Sequence, residues 1–511
     1  MSKQEDVAAI AEQSEVNRLM SLDITPWYQK PNLRFLYLCL VPAALGVEMT
    51  TGYDGSVLNG LQAVEAWQEH FDHPDGALLG ITSASYNLGG LLVLPIVPWV
   101  VDRIGRKHSI TLGSVVLVIG TILQTCSVNI GMFLASRLVL GTGIPFCVSG
   151  ASQLIAELTY PRERPVISGL FNVSWFAGSI LAAGVTLGTY DIPSNWAWRI
   201  PSALQCAPSL LQIMFIWFIP ESPRWLLFKE RDDEALEVLI KYHGEGDRES
   251  AFVHAEFHEI STQLRLELEN SKRRWVELLQ TSGNRKRVLI AICMGIFSQW
   301  SGNGLVSYYL ARVLTTVGVV EKRTQNIVNL SLSCWSLITS CIFAFATRLL
   351  RRRVQYLSSF ACMIAVFSTM TGVSAHFANT GSHSAAIAVV ALIFLYNASY
   401  NIMQPLLFVY SMEIFPFVHR AKGIAILQFF VRGSTAFNAF VNPIGLDELA
   451  WKFYLFYCAW LVVEGTIVYF LYPETKGPTL EELAYLFEQP PKELYNDDDQ
   501  ADVPEKRAQV V

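Results

Sequence analysis

The chain contains Pro220-Glu221-Ser222-Pro223-Arg224-Trp225-Leu226 and, about half a chain further on, Pro473-Glu474-Thr475-Lys476-Gly477-Pro478-Thr479. Each phrase directly follows a long apolar stretch and places a proline, an acid and a base within a few residues. Proline ends a helix because it has no N–H to donate, and charged side chains avoid the bilayer interior. The two phrases therefore predict two related halves, each of which ends where a helix leaves a lipid bilayer.

The composition is that of a membrane protein. The chain has 511 residues, of which 52% are hydrophobic and 16% are charged, and its mean hydropathy is +0.33. A soluble chain of this length needs more charge to cover its surface. Uncharged runs such as 115–126 and 385–396 approach, with their flanks, the roughly 20 residues that cross a bilayer. We expect an all-α protein that crosses the bilayer many times.

Apolar length and the polar breaks between apolar runs predict twelve membrane-spanning helices. Their expected positions are 33–58, 77–100, 109–127, 130–154, 166–189, 200–219, 288–311, 325–347, 354–377, 384–412, 423–445 and 453–472. The chain then divides into an N-terminal tail (1–32), a six-helix bundle (33–220), a linker (221–287), a second six-helix bundle (288–472) and a C-terminal tail (473–511). Apolar stripes at 235–240 and 260–279 predict amphipathic helices in the linker.

Basic residues predict the orientation of these spans. Lysine and arginine are concentrated after even-numbered spans, as in 103–107 and 348–353, whereas the loops 62–74 and 190–197 contain none. Cytoplasmic loops carry an excess of basic residues, so we expect the linker and both termini in the cytoplasm. The expected location is the plasma membrane.

The residues show no reaction centre. Nine cysteines are scattered, mostly within apolar runs, which predicts buried free thiols rather than a metal site. The chain displays no set of nucleophile and base of the kind that enzymes use. We therefore expect a protein that is not an enzyme and that binds neither a cofactor nor a metal.

Five motifs together resemble those of one transporter family. They are Gly52-Tyr53-Asp54, Asp102-Arg103-Ile104-Gly105-Arg106-Lys107, Arg137 with Gly141 and Gly143, and the two opening phrases. Their order resembles the sugar-porter branch of the major facilitator superfamily over about residues 35–487. Two further segments, 299–309 and 437–443, are similar to the fungal lactose permease-like and cellodextrin transporter-like subgroup. The resemblance implies two six-helix bundles around a central sugar site that opens alternately to each side.

Asp54 and Arg137 are the predicted proton-coupling pair. An acid at bilayer depth is costly and therefore usually functional, and Arg137 in the fourth span is its natural partner. In the family, the matching acid and base couple protons to transport, because protonation of the acid breaks the ion pair and favours the other conformation. The alternative is that Asp54 only caps a helix end near the outer face.

Charges at the expected cytoplasmic ends of the spans match a latch of the family that stabilises the outward-open state. The resemblance implies this role for Asp102, Arg103, Arg106, Glu157, Arg164, Glu221, Arg224, Glu413 and Arg420. The alternative is topological, since the positive-inside rule alone retains such bases. In the second half, Thr347 stands where the family has an acid and Leu350 where it has a glycine. We therefore expect a weaker or differently connected latch there.

Substrate contacts are also implied by the resemblance. Sugars are bound by neutral amides and hydroxyls beside aromatic faces, and any one amide could instead join two helices. Gly304 and Phe408 replace an amide and a tryptophan of many hexose porters, which predicts a roomier site. The expected substrate-binding residues are Asn172, Gln299, Asn303, Tyr308, Tyr309, Asn329, Phe408 and Asn438.

Glu48 and Arg432 are two further charges within spans, which the family motifs do not explain. They could contact each other across the halves, meet water in the cavity, or, for Arg432, bind an acidic substrate. We expect a monomeric proton-coupled sugar symporter that works by alternating access, with a disaccharide such as lactose or cellobiose as one candidate. Its expected partners are a small-molecule sugar, protons and the lipid bilayer, with no nucleic acid. The alternatives are a facilitator, a transporter of another polyhydroxy or acidic metabolite, and a transport-inactive sugar sensor.

Overall fold

The first half of the chain contains six spanning helices. The computed structural model describes residue 16, residues 18–23, 25–271, 275–347, 349–415 and 417–476, and residue 487. Spans 1 to 6 are Pro31–Leu61, Gly76–Val93, Arg106–Thr125, Ile130–Leu158, Arg164–Thr189 and Trp196–Phe218.

The second half repeats this arrangement. Spans 7 to 12 begin with the helices Ser282–Trp300, Lys322–Ala346, Arg352–Thr380, His383–Met403, Phe417–Leu449 and Phe453–Leu471. Eleven helical stretches of the described chain are long and apolar enough to cross a membrane, and the longest, Lys422–Leu471, contains both span 11 and span 12. The predicted all-α fold with twelve spans is therefore confirmed.

Spans 7 and 10, which the sequence predicts as continuous, are broken near their middle or end. Span 7 stops at Trp300 and resumes as Asn303–Tyr308, because Gly302 adopts a φ of +104° that favours glycine. Span 10 stops at Met403 and resumes as Leu406–Ile414 after Pro405, which has no N–H to continue the helix. Irregular backbone at membrane depth is tolerated where it lines a cavity, so these breaks point to the centre of the molecule.

Glycines allow very close helix contacts within the first half. A Cβ atom on Gly52 of span 1 would lie 1.9 Å from the main-chain oxygen of Trp175 in span 5. In return, a Cβ atom on Gly178 would lie 1.9 Å from the main-chain oxygen of Met49. Small residues let membrane helices approach until their backbones touch. Spans 1 and 5 therefore pack as one rigid pair.

The two halves meet along two pairs of spans. Span 2 packs against span 11, and span 5 packs against span 8. At the first contact, a Cβ atom on Gly80 would lie 2.6 Å from the main-chain oxygen of Phe440. The remaining space between the halves forms the cavity described below.

The linker forms helices Pro223–Phe228, Asp232–Tyr242, Ala251–Ser271 and Glu277–Gln280. It docks on the first half through buried polar contacts. His243 contacts the carboxylate of Glu256 at 2.7 Å and the main-chain oxygen of Leu158 at 3.3 Å. Glu245 accepts hydrogen bonds from the main-chain N–H groups of Asn32 and Leu33, at 3.0 Å each. We call the side of the membrane that these contacts define the linker side.

Cysteines among the described residues are free thiols, as the sequence predicts. Their predicted burial is only partly right, because Cys126 and Cys362 are exposed. Cys362 lies in the apolar helix of span 9, where an exposed side chain faces lipid rather than the protein interior, and Cys126 directly follows the last residue of span 3.

Candidate functional site

A cavity of about 1140 Å³ lies between the two halves. Spans 1, 4 and 5 and the residues 94–98 that follow span 2 form one wall, and spans 7, 8, 10 and 11 form the other. The lining is rich in amides and hydroxyls, and it includes Gln404 beside the break in span 10. Such a lining can bind a polyhydroxylated molecule by hydrogen bonds.

The cavity extends to the linker side. Its lining includes Gln153 near the end of span 4, Ser168 near the start of span 5 and Ile424 near the start of span 11. Trp275 of the linker also lines it. All four positions lie at the linker side, so the cavity is reached from the linker side in this structure.

The opposite end of the cavity is closed by a polar contact between the halves. Asp447 of span 11 accepts a hydrogen bond from the main-chain N–H of Gly76 at 2.8 Å and forms an ion pair with Arg312 at 2.7 Å. Arg312 also donates to the main-chain oxygen of Pro74 at 3.2 Å. One acid and one base of the second half thus bind the start of span 2, and we call this contact the gate.

We expect Asp447→Asn to loosen the gate. The variant loses the ion pair and weakens the bond to Gly76, which for partly exposed groups is worth about 1 kcal/mol, a roughly fivefold shift in the closed population. Deuterium uptake of the amides at 74–80 should rise in the purified protein. The neighbouring exposed acid offers a control, Glu448→Gln, which should leave this uptake unchanged. Equal uptake in Asp447→Asn and the wild type would contradict the gate.

Four predicted substrate residues line the cavity. Asn172 of span 5 is exposed to it, Gln299 and Asn303 flank the break in span 7, and Asn329 lies on span 8. Trp175, one turn from Asn172, provides an aromatic face. The structure therefore brings amides from both halves to one space.

Two other predicted substrate residues lie behind the cavity wall. Tyr309 is fully buried, and its hydroxyl donates to the main-chain oxygen of Ala439. Asn438 donates to the main-chain oxygen of Gln299 at 2.8 Å and accepts from the Tyr457 hydroxyl at 3.1 Å. Both side chains support the broken span 7 instead of facing the cavity. The side chains of Tyr308 and Phe408 lie outside the described part of the structure.

Several polar lining residues are absent from the sequence prediction. In span 10, Asn401 donates to Thr339 at 2.7 Å and to Asn397 at 3.1 Å. Across the halves, Asn59 donates to Asn329 at 3.0 Å. The spacing of Asn397, Asn401 and Gln404 on one helix face is the signal that could have identified the span 10 group.

Asp54 and Arg137 are brought together inside the first half. Asp54 is fully buried, and Gln205 of span 6 donates a hydrogen bond to its carboxylate. The guanidinium of Arg137 donates to the main-chain oxygen of Asp54 at 3.4 Å and lies 5.1 Å from the ring centre of Tyr86. Asp54 lies in the middle of helix Gly46–Leu61, so it does not cap a helix end. The cavity wall separates it from the cavity, which its neighbours Gly55 and Ser56 line.

Three acids bind the start of span 3 at the linker end of the first half. Arg106 forms a two-pronged pair with Glu157 at 3.1 and 3.3 Å and a weaker pair with Asp102 at 3.5 Å. Glu221 of the first opening phrase accepts from the main-chain N–H groups of Arg106 and Lys107, both at 3.2 Å at the closest. Burial raises the pKa of Glu221, and the N–H groups that it accepts partly offset this. Glu221, which is far from span 3 in the sequence, thus caps the start of that span.

The second half contains the same set of contacts. Arg352 pairs with Glu413 at 3.0 Å, and Glu474 of the second opening phrase accepts from the main-chain N–H groups of Arg352 and Arg353 at 2.9 and 3.2 Å. Where the expected acid is missing, Arg352 donates instead to the main-chain oxygen of Thr347 at 2.5 Å. A main-chain carbonyl thus stands where the first half has the Asp102 carboxylate, and the predicted weaker or differently connected latch in the second half stays a prediction.

The remaining predicted latch residues make separate contacts. Arg103 lies 5.2 Å from the ring centre of Trp99. Arg164 starts span 5, Arg224 lies in the first linker helix, and the side chain of Arg420 is outside the described residues. The ion pairs Arg106–Glu157 and Arg352–Glu413 each lie within one half, so in this structure they stabilise the linker end of a bundle.

We expect Glu221→Ala and Glu474→Ala to destabilise the protein by similar amounts. Each variant removes the carboxylate that caps a spanning helix, and loss of a cap costs ~0.5–2 kcal/mol. The thermal midpoint in detergent should fall equally for both. Glu234→Ala, which breaks an exposed pair with Arg231 on the linker, is the control and should leave the midpoint unchanged. A midpoint that falls only for Glu221→Ala would contradict the equivalence of the halves.

Comparison with known proteins agrees with this architecture. The model of the sugar (and other) transporter family matches residues 38–487. MFS-type transporter criB of Aspergillus cristatus is 29% identical over 440 residues, which cover 86% of this chain and 90% of that protein. The arabinose-proton symporter of Bacillus subtilis is 26% identical, with 91% of this chain and 99% of that protein covered.

A high-affinity glucose transporter of Kluyveromyces lactis is 26% identical, and the match covers 84% of this chain and 81% of that protein. Among solved structures, the inward-open form of the xylose transporter XylE from E. coli shares the fold with a TM-score of 0.73. It is 21% identical, and the match covers 89% of this chain and 100% of that one. The extent of the family match shows that the chain belongs to the sugar porter family of the major facilitator superfamily, whose members are transporters rather than enzymes.

Proposed function

We propose that the protein is a proton-coupled sugar symporter that works by alternating access. The observation that carries this proposal is the buried Asp54, with Gln205 on its carboxylate and Arg137 beside it, directly behind the wall of an amide-lined cavity. Similar proteins include an arabinose-proton symporter and a glucose transporter, which supports a sugar as the substrate.

Coupling follows from the position of Asp54 on span 1. When Asp54 is ionised, the guanidinium of Arg137 stabilises its charge and fixes span 1 against span 4. A proton on the carboxylate removes that attraction and frees span 1 to shift. Because Gly55 and Ser56 of the same helix line the cavity, a shift of span 1 changes the site that the sugar occupies. Proton and sugar thereby favour the same conformational change.

A disaccharide such as lactose or cellobiose is the preferred substrate within this proposal. The cavity, at about 1140 Å³, exceeds the ~1,000 Å³ at the upper end of small-molecule sites. It also offers amides over an extended wall, from Asn172 in span 5 to Gln404 in span 10. We place the protein in the plasma membrane as a monomer, with the linker and both termini in the cytoplasm.

Uptake assays test the proposal. Labelled glucose, xylose, lactose and cellobiose are offered to cells that lack their own sugar transporters, with and without a proton uncoupler. We expect one or more of these sugars to accumulate and the uncoupler to abolish the accumulation. Uptake that only equilibrates, regardless of the uncoupler, would identify a facilitator. Binding without uptake would identify a sensor, and uptake restricted to acidic metabolites would overturn the sugar assignment.

A further inference from the structure

Glu48 and Arg432 face the same cavity from opposite halves. Glu48 lies on span 1 and Arg432 on span 11, and both line the cavity. Among the described residues of the lining, these two carry the charges, whereas the other polar groups are amides, hydroxyls and indoles. The cavity therefore combines one acid and one base with a neutral polar wall.

Both charges lie part-way along spans that start at the linker side. Glu48 follows Pro31, the first residue of span 1, by 17 residues, and Arg432 follows Phe417, the first residue of span 11, by 15 residues. At a rise of about 1.5 Å per residue, the two positions lie roughly 20–25 Å along their helices. The two charges therefore line the cavity at a similar depth.

The guanidinium of Arg432 lies against the first half, where span 2 packs against span 11. A Cβ atom on Gly90 of span 2 would lie 3.2 Å from its Nη1 atom. The charges of Glu48 and Arg432 also interact electrostatically. An isolated charge at bilayer depth is unfavourable, and the two together leave the cavity without net charge.

We propose that Glu48 and Arg432 are a charge-selecting pair that admits a neutral polyhydroxylated substrate and excludes an anionic one. The inference deepens the proposed sugar transport and rests on it. A sugar hydroxyl can accept from the guanidinium and donate to the carboxylate, so one neutral molecule satisfies both groups. A carboxylate on the substrate gains the attraction of Arg432 but meets the repulsion of Glu48 in a medium of low dielectric.

The decisive variant is Glu48→Gln, which keeps the size of the side chain and removes its charge. We expect this variant to raise the affinity for D-glucuronate relative to that for D-glucose about tenfold, because the negative charge of Glu48 then no longer offsets the positive charge of Arg432. These two probes differ only in the oxidation of one carbon. Arg432→Gln should weaken the neutral sugar without any gain for glucuronate, and Glu48→Asp should keep the selectivity of the wild type.

Binding is measured on the purified protein by ligand-dependent shifts in thermal unfolding, with uptake in parallel. Gln428→Asn, a neutral change one turn from Arg432 in the same lining, is the control and should leave the ratio of the two probes unchanged. Size-exclusion profiles identify variants that do not fold. An unchanged ratio in folded Glu48→Gln, or equal binding of both probes by the wild type, overturns the inference while sugar uptake still stands. Absence of any sugar uptake overturns the proposed function. In that case the ratio of D-glucuronate to D-glucose binding, compared between the wild type and Glu48→Gln, still tests whether the pair selects by charge.

Discussion

Asp54→Asn is expected to abolish proton-driven accumulation of the transported sugar while exchange across the membrane continues. Asparagine resembles the protonated acid in shape, but it can neither release the proton nor attract Arg137 as an anion. The helix contacts around it should persist, because the main-chain oxygen that Arg137 binds is still present. The internal concentration of labelled sugar should therefore fall to the external one under a proton gradient.

A matched control separates coupling from general damage. Asp191→Asn makes the same chemical change in an exposed loop and should leave accumulation intact. Counterflow, in which unlabelled sugar inside drives entry of labelled sugar, reports exchange in both variants. If Asp54→Asn accumulates sugar to the level of the wild type, Asp54 has no role in proton coupling. Loss of counterflow together with accumulation would assign Asp54 to folding or substrate binding.

Gly178→Ala is expected to have the largest effect on stability. The new methyl group would lie 1.9 Å from the main-chain oxygen of Met49, so spans 1 and 5 must separate along their contact. Overpacking of this kind costs ~1–3 kcal/mol or more, and here the obstacle is backbone that cannot rotate away. The thermal midpoint in detergent and the yield of monodisperse protein should both fall sharply.

The same helix supplies a control for this prediction. A Cβ atom on Gly184 meets nothing within 4 Å, so Gly184→Ala adds the methyl group in open space. Alanine is also the better helix former, by up to about 1 kcal/mol. Gly184→Ala should therefore be neutral or slightly stabilising. Equal midpoints for the two variants would show that the close contact of spans 1 and 5 does not limit stability.

Hydropathy alone predicts the spans because a bilayer imposes length and composition together. It cannot predict the breaks at Gly302 and Pro405, since each depends on one residue inside an otherwise apolar run. It also underestimates the ends of span 11, predicted at 423–445 and observed at Phe417–Leu449. Polar residues in the end turns lower the local hydropathy there, although the helix continues.

The site was predictable where a charge or a family motif marked it. Asp54 and Arg137 fall in this group, as do the amides Asn172 and Gln299. The network of Asn397 and Asn401 was missed because neutral amides scarcely interrupt an apolar run. Glu464 was missed as well: it is fully buried in span 12 near Trp460, although a lone acid in such a helix is a visible signal.

The capping of spans 3 and 9 by Glu221 and Glu474 has a consequence for the ancestry and assembly of the chain. Each half is held together by its own contact, because the acid that follows its last span accepts hydrogen bonds from the start of its third span. Neither contact depends on the polypeptide that joins the halves. If the chain were divided between the third and fourth linker helices, each fragment would keep its own contact. The two fragments would then need only to associate along spans 2 and 11 and along spans 5 and 8. The protein is thus built like a dimer whose two subunits happen to be covalently joined.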